Sequence, residues 1–105
     1  MTQYVINLLN EPNQKLSFDL EADDGTAFNI DMALRTTPNN LTVANIDING
    51  QAVRQGVVCC NNMPLIAGNE LKGNLLFVDQ FGDEDPLFDQ FNERFLLIYD
   101  TEYRL

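Results

Sequence analysis

The chain has 105 residues, a length suited to one domain, and 45% of them are hydrophobic, which is too apolar for a disordered segment. Sixteen Asp and Glu against six Lys and Arg give a formal charge of −10, so phosphate backbones and anionic membranes are repelled and basic protein surfaces favoured. There is no histidine, which removes Ser/His/Asp and Cys/His catalytic arrangements and the commonest zinc ligand.

The opening "MTQYVINLLNEP" lacks the basic start, continuous apolar run and small-residue cleavage site of a signal peptide, so synthesis in a cytoplasm is expected. Tyr4, Ile6 and Leu8 alternate with Gln3, Val5 and Asn7, and "NEPN" (10–13) then turns the chain. Leu16, Phe18 and Leu20 alternate with Lys15, Ser17 and Asp19, the pattern of a half-buried strand. After the polar turn "EADDG" (21–25), Phe28, Ile30, Met32 and Leu34 repeat the period, until "RTTPNN" (35–40) closes the strand at Pro38. In "IDINGQAV" (46–53), Asn49 and Gly50 both accept positive φ and predict a type I′ hairpin turn. That register sets Ile48 opposite Gln51 and Ile46 opposite Val53 on the core face, with Asp47 diagonal to Arg54 in a weak ion pair.

"QGVVCC" (55–60) extends the return strand, with Gly56 marking a bulge. Cys59 and Cys60 are adjacent, a geometry that disfavours a mutual disulfide, and are read as reduced thiols on opposite faces of the strand. "NNMPLIAGNELKG" (61–73) is irregular and has room for a single helical turn around residues 69–71. "NLLFVD" (74–79) predicts a strand buried on both faces, and "RFLLIYDTEYRL" (94–105) supplies the last strand. The longest apolar runs, "FLLIY" (95–99) and "LLFV" (75–78), are strand-sized and far too short to span a bilayer. The expectation is an all-β fold over 1–105 of about seven short strands with at most one helical turn, a small antiparallel barrel or sandwich. A closed or nearly closed barrel is preferred because closure removes exposed strand edges.

The segment "DQFGDEDP" (79–86) gathers Asp79, Asp83, Glu84 and Asp85, with Gly82 and Pro86 as turn formers. Together with Asp89 these carboxylates could offer oxygens to calcium, but their spacing does not follow the EF-hand pattern. No catalytic set, metal site or cofactor is therefore expected, and the acidic residues are read as a solvated turn. Phe81, Phe88 and Phe91 follow in the same polar loop, and either cap the core, the stronger reading, or form a patch for a partner. Tyr99, Tyr103 and Leu105 add apolar surface near the last strand. The candidate partner interface is Phe81, Asp83, Phe88, Phe91, Tyr99 and Tyr103; the turn formers are Asn49, Gly50, Gly82 and Pro86.

The chain resembles the small baseplate plug proteins of contractile-tailed bacteriophages. The similarity runs through the opening Tyr4, Ile6 and Leu8, the segment "NQKLSFDL", the element "DINGQAVRQG", the stretch "MPLIAGNELKGNLLFVDQFGDEDP" and the closing "ERFLLIYD". Relatives commonly carry a Trp just before the Asp-Ile element, where this chain has "LTVAN", so packing near Leu41 and Val43 is expected to differ. The resemblance implies a non-enzymatic component of a phage or prophage baseplate hub. Such a component would reside in the virion after synthesis in the host cytoplasm, pack against hub and tube proteins, and self-associate weakly at most. The alternative is a β-rich ligand- or carbohydrate-binding module using the Phe81, Phe88 and Phe91 loop.

Overall fold

A computed structural model of the chain describes residues 3–68 and 71–103. Its strands are β1 (Gln3–Ile6), β2 (Asn13–Glu21), β3 (Ala27–Thr36), β4 (Thr42–Ile48), β5 (Gln51–Val58), β6 (Asn74–Asp79) and β7 (Phe95–Asp100). They form a four-stranded sheet, β2-β3-β4-β5, and a three-stranded sheet, β1-β7-β6. Every strand pairing is antiparallel.

The four-stranded sheet follows from sequence alternation and tight turns. The residues expected to point inward, Leu20 of β2 and Phe28, Ile30, Met32 and Leu34 of β3, are buried, while Leu16 and Phe18 pack partly against the same core. Asn49 and Gly50 have φ of 52° and 83° and Ile48 stands opposite Gln51, as a two-residue hairpin with positive φ at both positions requires. Asn49 also ties the turn to β3: its side-chain oxygen accepts from the Asn29 N–H at 2.9 Å and its own N–H donates to the Asn29 carbonyl at 2.8 Å.

Beyond that turn the expected register is corrected. Ala52 stands opposite Asp47 and Arg54 opposite Ile46, so Val53 is an extra residue bulged out of β5. A second extra residue falls between Arg54 and Val57, which span only Ile46 to Ala44 on β4. Gly56 lies there with φ 69°, and its N–H donates to the Asn45 side-chain oxygen at 2.7 Å, in keeping with the bulge expected at this glycine. Val53 still packs against the core, but among the described residues Asp47 and Arg54 form no ion pair, because the bulge moves them out of register.

The sheets do not close into a barrel; they cover one hydrophobic core from two sides, so the sandwich describes the architecture and the preferred barrel does not. Two of the four edges that closure would have removed, those of β5 and β6, are handled locally. β5 is kinked by its bulges, which spoil it as a template for another strand. The outer edge of β6 is covered by the segment after β5. There the Asn62 N–H donates to the Phe77 carbonyl at 2.8 Å and the Leu65 N–H to the Leu75 carbonyl at 2.9 Å. The buried Asn74 amide clamps that segment, accepting from the Ile66 N–H at 3.0 Å and donating to the Ile66 carbonyl at 2.7 Å.

The core joins Ile30, Ile46, Leu65, Ile66, Leu75, Phe77, Phe91, Leu97 and Tyr99 from both sheets and their loops. As its apolar run predicts, β6 is buried on both faces over Leu75, Leu76 and Phe77. In the segment before the Asp-Ile element, Val43 is buried and Leu41 exposed. Among the described residues the one helical turn is a 3-10 turn at Phe88–Gln90. The turn expected around 69–71 falls on Asn69 and Glu70, which lie outside the described residues.

Candidate functional site

The acidic loop is organised by Asp79, the last residue of β6. Its side chain is fully buried while Arg94 across the loop is 23% exposed. The two form a fork: Arg94 Nε donates to Oδ1 and Nη2 to Oδ2, both at 2.9 Å. The same oxygens also accept the backbone N–H groups of Phe81 and Glu84 at 2.9 Å each. Loop closure follows from the β6–β7 ladder, which sets Asp79 opposite Phe95, with the Gln80 N–H donating to the Arg94 carbonyl at 2.8 Å. The Arg94 guanidinium holds the Asp79 carboxyl well below the usual carboxylate range, helped by the two backbone N–H groups, and is itself pushed up by that carboxylate.

Gly82 is fitted to this fork. A Cβ there would stand 3.2 Å from Arg94 Nη2 and 3.3 Å from Asp79 Oδ2, tight contacts that would make the fork give by a few tenths of an ångström. Glu84 makes a further contact with Arg94 at 3.1 Å from an exposed position. The Asp85 side chain accepts the Asn61 N–H at 3.0 Å, and the Asn61 side chain in turn accepts the Asp79 N–H at 2.8 Å. Pro86 is buried, and its carbonyl accepts from the Thr42 hydroxyl at 2.9 Å, which anchors the loop on β4.

The residues named as partner-facing are separated by this arrangement. Phe81 projects at the loop tip with 77% of its surface exposed, the most exposed large hydrophobic residue among those described. Asp83 beside it is exposed. Phe88 is half-buried against the core, and Phe91 is 1% exposed and stacks on Phe77 with centroids 5.7 Å apart. Tyr99 is a core residue on the inner face of β7; burial raises its hydroxyl pKa, and the hydroxyl donates to the Lys72 carbonyl. Tyr4 stacks on Tyr99 at 6.3 Å. Tyr103 is half-buried in a groove of about 740 Å³ between the turn after β2, Gly68, residues 71–74 and residues 101–103, and Leu105 lies outside the described residues. Phe91 and Tyr99 therefore offer no surface to a partner, because their rings fill space between the sheets.

Sequence reasoning did not find Arg94. Its signal was its place just before the last strand, facing the end of "NLLFVD" once the two strands are paired as a hairpin. Among the described residues no group of three or more His, Cys, Asp or Glu is placed to hold a metal ion. Cys59 and Cys60 are free thiols; Cys59 is buried and its pKa is pushed up to about 12 by burial, and Cys60, half-buried, is also raised. No helix among the described residues is long and apolar enough to cross a membrane.

The antiparallel sandwich and its tied acidic loop are accompanied by a family match over almost the whole chain. The model of the family described as cyanophage baseplate Pam3 plug gp18 matches residues 3–102. No curated protein matches the chain. The match gives the class as a phage baseplate plug. The chain belongs to the family of the cyanophage baseplate Pam3 plug gp18.

Proposed function

We propose that this chain is a non-enzymatic plug of a phage or prophage baseplate hub, holding its place by packing against hub and tube proteins. The family match over residues 3–102 carries the reading. The formal charge of −10 favours basic protein surfaces over nucleic acid or membrane, and self-association of the isolated chain is weak at most. In this reading the chain is made in the host cytoplasm and ends in the tail of the virion.

The test is co-purification of the tagged chain with the tail proteins of its own phage, expressed together. Stable association with a hub or tube protein is the expected outcome, and failure to retain any of them would defeat the proposal. A carbohydrate-binding reading has less to rest on: of the three loop phenylalanines, Phe91 is core and Phe88 half-buried, leaving Phe81 as the exposed ring.

A further inference from the structure

We infer that Phe81 is a pre-organised docking knob, and that its receptor is an apolar socket ringed by Lys and Arg on another baseplate protein. The inference rests on the baseplate reading and adds to it the contact and the chemistry of the partner.

The first observation is exposure combined with rigidity. A large aromatic residue 77% exposed gains little from burial within its own chain. Yet its backbone N–H is fixed by Asp79, whose carboxylate is held by the Arg94 fork. The loop is tied again at Glu84, at Asp85 through Asn61, and at Pro86 through Thr42. A loop left to flex would lose conformational freedom on docking, whereas one already fixed retains more of its contact energy as affinity. Aromatic anchors of this kind dominate binding when they enter a desolvated pocket.

The second observation is charge. Asp79, Asp83, Glu84 and Asp85 set four carboxylates around the tip against the single guanidinium of Arg94. Asp83, Glu84 and Asp85 are exposed. A socket with an acidic or neutral rim would leave them uncompensated, while a basic rim complements them and speeds encounter. Arg94 is a positioning residue in this scheme, since it acts through the shape of the loop.

The test measures the dissociation constant between the full chain and the tail protein with which it co-purifies, for wild type, Phe81→Ala, Arg94→Lys and the double variant. Phe81→Ala is expected to weaken binding about thirty-fold or more at unchanged melting temperature, the loss typical of a central anchor. Arg94→Lys keeps the charge but removes the fork; it should weaken binding in the wild-type background and add little once Phe81 is gone. Asp83→Lys and raised salt should both slow association. Equal affinity of wild type and Phe81→Ala would overturn the knob while the baseplate reading stands. Independence of salt and of Asp83→Lys would overturn the basic socket. Binding of wild type to a glycan or to itself alone, with no tail protein retained, would remove both readings.

Discussion

At the scale of single residues, the Asp79 carboxylate has the most distinct chemistry. The fork depresses its native pKa, so as pH falls the unfolded chain takes up this proton before the folded one does. The stability it contributes is complete above the ordinary carboxylate range and is lost as pH falls through and below that range. Thermal melts should therefore fall between about pH 5 and pH 3. Asp79→Asn should melt lower than wild type at pH 7 and show a flatter acid decline. Both Asp79 oxygens are already taken by Arg94 and two backbone N–H groups, so calcium added in millimolar amounts should leave the melting temperature unchanged. The cysteines give a third check. A thiol reagent at pH 8 should modify Cys60 slowly in the native protein and reach Cys59 only on unfolding, since burial keeps the Cys59 thiol protonated and covered.

At the scale of elements, two glycines with similar φ separate backbone preference from packing. Gly25 has φ 87° with nothing within 4 Å of an added Cβ, so Gly25→Ala should cost about 1–2 kcal/mol from the left-handed backbone alone. At Gly73, φ 76°, a Cβ would run into the Asp100 carbonyl oxygen and stand 2.9 Å from the Thr101 Cα. Gly73→Ala should thus cost clearly more in chemical denaturation. Strands were legible where one face is buried: the period of two in Leu16, Phe18, Leu20 and in Phe28 to Leu34 is the physical trace of a half-covered sheet. The apolar run of β6 likewise reports burial on both faces. What stayed hidden depends on distant hydrogen bonds that leave no periodic mark. Examples are the Val53 bulge that displaces Ile46 from its expected partner, the segment after β5 that shields β6, and Arg94 reaching Asp79. The open sandwich was obscured for the same reason, because edges can be protected by a bulge or a passing loop as well as by closure.

At the scale of the whole molecule, the sheets depend on each other through shared side chains. Phe77 is fully buried, stacks on Phe91 and belongs to the same core as Ile30 and Ile46 of the facing sheet. Phe77→Ala should destabilise the fold by about 3–5 kcal/mol and shift one cooperative unfolding transition instead of splitting it, as urea melts followed by two probes would show. The pairing of β1 with β7 has a further consequence for how the molecule comes into being. Gln3 hydrogen-bonds Asp100 across a separation of 97 residues, whereas β2 to β5 are joined to their neighbours by short turns. On a translating ribosome the four-stranded meander can assemble as it emerges, while β1 must wait, unpaired, until β7 has been made. The edge of β1 is thus open to wrong pairings through that interval, and the emergence of β7 is the event that closes it.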